Sequence, residues 1–128
     1  MTYRTDIQVR FHDTDANGHI NNASYAVYSE YNRVDFLEKI AGLKDNLILA
    51  NLNIDFLKEM AFNDKVYVTL KVEKLGNSSI RLYQEVIAND AIAAKINSVV
   101  VVFDYETRQS THVQDEVRTK LEPYLMSS

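Results

Sequence analysis

Hydrophobic positions in this chain switch between two spacings, and each switch marks an element. Residues Thr5 to Phe11 alternate, with Ile7, Val9 and Phe11 on one side, as a half-buried strand does. From Asn22 to about Ala41 the spacing becomes helical. Val27, Tyr31, Val34, Leu37 and Ala41 form a stripe that Tyr28, Phe36 and Ile40 widen, and this side is expected to face the core. Glu30, Asn32, Arg33, Glu38 and Lys39 are expected to face water. Asn21 or Asn22 supplies a cap at the start, because a short amide side chain accepts from free backbone N–H groups. Gly42 ends the helix, since glycine readily takes the left-handed conformation after a last turn.

From Leu47 onward the spacing returns to two. Ala50, Leu52, Ile54 and Phe56 alternate with Asn51, Asn53 and Asp55, and Asn63-Asp64 then turns the chain. Val66, Val68, Leu70 and Val72 alternate in the next run; Gly76-Asn77 turns it into Ile80–Ala88, and Asn89-Asp90 turns it again into Ala91–Tyr105. Val99 to Val102 is apolar on both faces, which predicts a place in the middle of the sheet. A short helix from about Gln114 to Leu121 closes the chain. Short turns make antiparallel neighbours. The order therefore predicts an α+β fold: a five-stranded antiparallel sheet wrapped around one long central helix, with a short C-terminal helix. The sheet's edges and outer face need cover, and dimerisation is the simplest source.

Composition narrows the function. The 128 residues suggest a single domain spanning 1–128, with one proline and three glycines leaving no flexible linker. A net charge of −4 and the lack of a basic run argue against nucleic acid. With no cysteine there is no disulfide and no thiolate chemistry. No signal peptide is evident, so a cytoplasmic protein is expected. The longest apolar run, Ser98 to Phe103, is far too short to span a membrane.

The candidate chemistry is concentrated between the first strand and the long helix, in Phe11-His12-Asp13-Thr14-Asp15-Ala16-Asn17-Gly18-His19-Ile20-Asn21-Asn22-Ala23-Ser24-Tyr25. Two Asp, two His and three Asn fall within this one loop, and loops held by a rigid scaffold are where catalytic groups tend to lie. Asp13 and Asn21 read as turn and loop-shaping residues. His12 and His112 read as exposed. His12, Asp13, Asp15 and His19 draw no ligand from a second element, so neither metal nor cofactor is expected.

The run from Asp13 to Asn22, followed by Tyr25, resembles the signature of hotdog-fold acyl thioesterases, the 4-hydroxybenzoyl-CoA thioesterase-like family. Its acyl-ACP and long-chain acyl-CoA branch carries Asp-x-Asp-x-Asn-x-His-Val-Asn-Asn-x-x-Tyr, and the order of elements matches over nearly the whole chain. The resemblance implies a hotdog fold and hydrolysis of acyl-CoA or acyl-ACP to free acid and carrier thiol. It also implies a homodimer, often paired into a homotetramer, with active sites at the interface. It places Asp15 at the family's catalytic aspartate, Asn17 and His19 at the residues that accompany it, and the backbone N–H of Asn22 at the donor aimed at the thioester carbonyl. Phe56-Leu57-Lys58-Glu59-Met60 is similar to a Tyr-Arg-Arg-Glu-Cys stretch of the plant enzymes, which makes Glu59 a further catalytic candidate. Met60 replaces the cysteine there, and Leu57 and Lys58 replace the two arginines. Other branches have histidine at the Asn22 position.

The chemistry this implies is simple. Asp15 serves as base or nucleophile, and the Asn22 or Ala23 N–H at the positive end of the helix holds the carbonyl oxygen. Asn17 orients water or Asp15, and His19 joins the same network. Tyr25, Tyr28 and Phe56 are the candidate lining of an acyl slot. A hotdog module that binds acyl thioesters without turning them over is the alternative.

Overall fold

The computed structural model describes residues 1–126. Its elements follow the predicted order: β1 (Tyr3–Ile7), α1 (Asn22–Ala41), β2 (Leu47–Phe56), β3 (Val66–Leu75), β4 (Ser79–Ala88), β5 (Ala91–Asp104), β6 (Gln109–Ser110) and α2 (Asp115–Leu121). The strands form one antiparallel sheet in the order β1-β3-β4-β5-β2, with the two-residue β6 added alongside β5. β1 and β2 are therefore the two edges. Val99–Val102 lies on β5, next to an edge; the centre of the sheet is β4. The Asn89-Asp90 hairpin has both residues at positive φ, 50° and 66°, as a two-residue turn matching the twist of its strands requires.

The caps of α1 are those expected. The Asn21 side chain accepts from the Ala23 N–H at 2.9 Å, and Gly42 at φ 70° donates its own N–H back to Glu38. At about 1.5 Å per residue, twenty residues make a rod of about 30 Å laid over one face of the sheet.

The rotation of that rod differs from the expectation. Val27, Tyr31 and Val34 are exposed, at 43%, 56% and 50%. Asn32 and Arg33, expected to face water, are buried, together with Ser24, Tyr25, Tyr28, Ser29, Phe36 and Leu37. For Asn32 the reason is a polar belt across the middle of the helix–sheet interface. Gln84 of β4 donates to the Ser29 carbonyl and to Asn32 Oδ1, each at 2.8 Å. Asn32 in turn donates to Thr5 of β1 and to the Val68 carbonyl of β3. The belt separates two apolar clusters. One gathers Phe36, Leu37, Leu70, Leu82 and Val100; the other gathers Tyr25, Tyr28, Val68, Val86 and Ile96. Period alone cannot show which polar residues of a helix meet a polar residue on the sheet.

Two further differences concern the strands. β1 stops at Ile7, four residues before the predicted end, because the chain turns into a short 3-10 helix at Phe11–Asp13. Phe11 is left 79% exposed. Apolar side chains of β2 are also uncovered, with Leu49, Leu52 and Phe56 exposed, because α1 packs mainly over β1, β3 and β4.

Asn32→Ala removes the hub of the belt and leaves buried acceptors and donors unpaired. It is expected to destabilise the fold by about 2 kcal/mol, read as a lower urea midpoint at unchanged slope.

Candidate active site

The loop between β1 and α1 is a tight hairpin. Thr14 and Ile20 bridge as antiparallel partners, the Asp15 N–H donates to the His19 carbonyl at 2.7 Å, and Gly18 makes the bend at φ 80°. The hairpin is tied to the segment after β2: the Ile20 N–H donates to the Met60 carbonyl at 2.7 Å, and His19 bridges Ala61. This pairing brings Glu59 beside His19, with Nε2 and Oε2 3.4 Å apart on exposed side chains.

Asp15 is exposed, yet its carboxylate is held. Oδ1 accepts from the Asn17 N–H at 2.8 Å and from the His19 N–H at 3.1 Å. Oδ2 has no hydrogen-bond partner among the described residues. A carboxylate fixed by one oxygen and open at the other is oriented without being neutralised. Asn17 and His19 therefore act on Asp15 through the backbone.

Asp15, His19 and Glu59 share a cavity of about 310 Å³ with Asn21, Asn22 and Tyr25. The start of α1 forms one wall. Of its first three N–H groups, that of Ala23 is held by the Asn21 side chain and that of Ser24 by the Asn21 carbonyl. The Asn22 N–H has no partner among the described residues. The alternative donor expected from the sequence, the Ala23 N–H, is already engaged. Tyr25 is buried, with its hydroxyl donating to the Lys58 carbonyl at 2.9 Å, and burial raises its pKa.

The remaining expected lining residues lie apart. Phe56, on the exposed edge, meets Tyr25 edge to face at 5.1 Å but does not line this cavity. Tyr28 opens instead onto a second cavity of about 410 Å³ on the β1 side, beside Thr5, Ile7, Asp13, Tyr31 and Asp35. Its hydroxyl donates to Asp13 Oδ2 at 2.7 Å. Burial, with that carboxylate close by, pushes the phenol far above its ordinary range. So Tyr28 serves Asp13 and does not line the slot beside Asp15. Asp13 itself is buried, a pairing that no local pattern shows because its partner is fifteen residues away.

The sequence matches the thioesterase-like superfamily over residues 9–121. The chain belongs to that superfamily. A predicted thioesterase from Bacillus stearothermophilus superposes with a TM-score of 0.93 at 27% identity, over 100% of this chain and 99% of that one. A thioesterase from Thermus thermophilus, solved with coenzyme A and zinc, superposes with a TM-score of 0.86 at 28% identity, over 94% and 92%. Long-chain acyl-CoA thioesterase FadM of Escherichia coli (strain K12) is 26% identical over 128 residues, covering 93% of this chain and 96% of that protein. The hotdog fold and the thioesterase family inferred from Asp13–Tyr25 are thus those of this chain. Among its described residues no three His, Asp or Glu side chains gather as a metal-binding set. No helix among them is long and apolar enough to cross a membrane.

Asn21→Ala removes the cap that orders this wall of the site. A loss of about 1 kcal/mol in chemical unfolding is expected.

Proposed function

We propose that this thioesterase-like chain hydrolyses acyl-CoA or acyl-ACP thioesters, with Asp15 as base or nucleophile and the Asn22 N–H as oxyanion donor. The observation that carries this reading is the shared cavity: a carboxylate oxygen and an N–H at the positive end of a twenty-residue helix, both without partners among the described residues. In the base mechanism Asp15 takes a proton from water as the hydroxyl oxygen attacks the thioester carbon. The Asn22 N–H stabilises the negative charge that develops on the carbonyl oxygen, a contribution of about 3 kcal/mol for a well-placed donor. The tetrahedral intermediate then expels the carrier thiolate, which takes the proton from Asp15. Asn17 and His19 keep the carboxylate oriented, and the His19–Glu59 pair orders the mouth. Tyr25 and Phe56 begin the apolar path for the acyl group. A CoA carrier is favoured by FadM and by the coenzyme A complex from Thermus thermophilus.

The test is release of free thiol from a panel of acyl-CoA and acyl-ACP substrates, followed with a thiol-reactive dye. Turnover is expected, and Asp15→Asn should lower kcat by about 10²- to 10⁴-fold while the protein stays folded. Tight binding without release would identify a binding module instead, and near-normal turnover in Asp15→Asn would remove Asp15 from its role.

The working unit is a homodimer, or a homotetramer built from such dimers. Support comes from β2, an edge strand whose Leu49, Leu52 and Phe56 are exposed, and from the exposed Val27 and Val34 on α1. Sedimentation velocity at micromolar protein is expected to show dimers or tetramers, which Leu52→Lys should dissociate. A wild-type monomer in that range contradicts the assignment.

A further inference from the structure

The geometry points to Asp13 as the positioning residue of this site: its buried carboxylate, held by Tyr28, fixes the loop that carries Asp15 against the start of α1. The inference rests on the reading of Asp15 as the reacting carboxylate.

Asp13 is 6% exposed, whereas Asp15, two residues on, is open to solvent. A buried carboxylate is unfavourable unless it is hydrogen-bonded. This one accepts from the Tyr28 hydroxyl at 2.7 Å and from the Arg10 N–H at 2.9 Å, both on Oδ2. Its backbone is equally engaged. The Asp13 N–H donates to the Arg10 carbonyl at 2.9 Å, and the Asp13 carbonyl accepts from the Asn21 N–H at 2.7 Å and the Ser24 hydroxyl at 3.2 Å.

These contacts follow a pattern. Asn21, Ser24 and Tyr28 are three and four residues apart, so they lie along one side of α1. Asp13 is fastened along the first two turns of the helix, at the base of the hairpin that Thr14 and Ile20 close. A shift of Asp13 therefore moves Asp15 relative to Asn22. Asn21, which caps the helix and leaves the Asn22 N–H free, is bonded directly to Asp13 and would move with it. Tyr28 does not line the Asp15 cavity, and its hydroxyl is tied to the loop through this carboxylate. Neither Asp13 nor Tyr28 lines the cavity that holds Asp15, so both reach the reaction through Asp15.

The experiment uses the full chain and the acyl-CoA substrate that it turns over best. Tyr28→Phe and Asp13→Asn are each measured alone and in the Asp15→Asn background, with kcat and KM resolved and the folded fraction taken from circular dichroism. Each single change is expected to lower kcat by about 10- to 100-fold, the effect of a misplacement near 1 Å, with KM altered less than about threefold. In the Asp15→Asn background the same changes should alter the residual rate by less than about twofold, because their effect runs through a group already removed. If Asp13→Asn fails to fold, Tyr28→Phe, which deletes a single oxygen, carries the test alone.

A purely structural role predicts a lower melting temperature with wild-type kcat per folded molecule, and that result overturns the inference. So does an equal loss in both backgrounds, or a loss confined to KM. The failure of the reading it rests on looks different: Asp15→Asn alone would then retain near-normal turnover.

Discussion

The hydrogen bonds from Gln84 to Ser29 and Asn32 set the rotation of α1 about its own axis, and the placement of the site follows from that rotation. A smooth apolar helix on a smooth apolar sheet could turn by several tens of degrees at little loss of buried area. A polar belt removes that freedom, because any other rotation leaves a buried amide unpaired. With the belt engaged, Tyr25 and Tyr28 point into one apolar cluster and Phe36 and Leu37 into the other. The satisfaction is incomplete, since Arg33 Nη1, Gln84 Oε1 and Ser98 Oγ are buried without partners among the described residues. Burial also lowers the Arg33 pKa against the opposing pull of Glu30. The belt therefore acts more to specify one arrangement than to add stability.

From that rotation the loop is built outward. Tyr28 lands where its hydroxyl meets Asp13, and Asp13 ties the loop to the helix. Two carboxylates separated by one threonine then do opposite things. Asp13 turns inward, where Oδ2 accepts from the Tyr28 hydroxyl and the Arg10 N–H. Asp15 turns outward, its Oδ1 bound by two backbone N–H groups of its own hairpin and its Oδ2 without a partner among the described residues. The first sits in a 3-10 turn packed against α1 and meets Tyr28, and the second lies in the hairpin that bends at Gly18.

The legible and illegible parts of the sequence divide along this line. The bounds of α1 are readable because Asn21 and Gly42 act on their own backbone neighbours. The strands are readable because alternation and turn residues are local. The buried side of α1 is not readable, because Val27, Tyr31 and Val34 are apolar yet exposed, while Ser29 and Asn32 are polar yet answered by Gln84 more than fifty residues away. In the loop, the motif marks Asp15, His19, Asn22 and Tyr25, and Glu59 at the far side, and these five line one cavity. Tyr28 and Asp13 read separately, one as lining and one as a turn residue. Their mutual bond depends on how helix and loop meet, which neither segment encodes alone.

The position of the cavity ties its chemistry to the exposed edge. Glu59 follows closely on β2, and Phe56, the last residue of that strand, rests against Tyr25 in the cavity wall. Anything that covers the apolar side of β2 therefore also walls the space in front of Asp15. In the homodimer proposed above, one contact does two things. It removes apolar side chains from water, and it lowers the local dielectric around a carboxylate and a helix N-terminus whose interactions with a developing oxyanion strengthen as water leaves. With the candidate loop beside the open edge, the proposed second copy would cover the exposed apolar side chains of β2 and the cavity that holds Asp15 by one and the same contact.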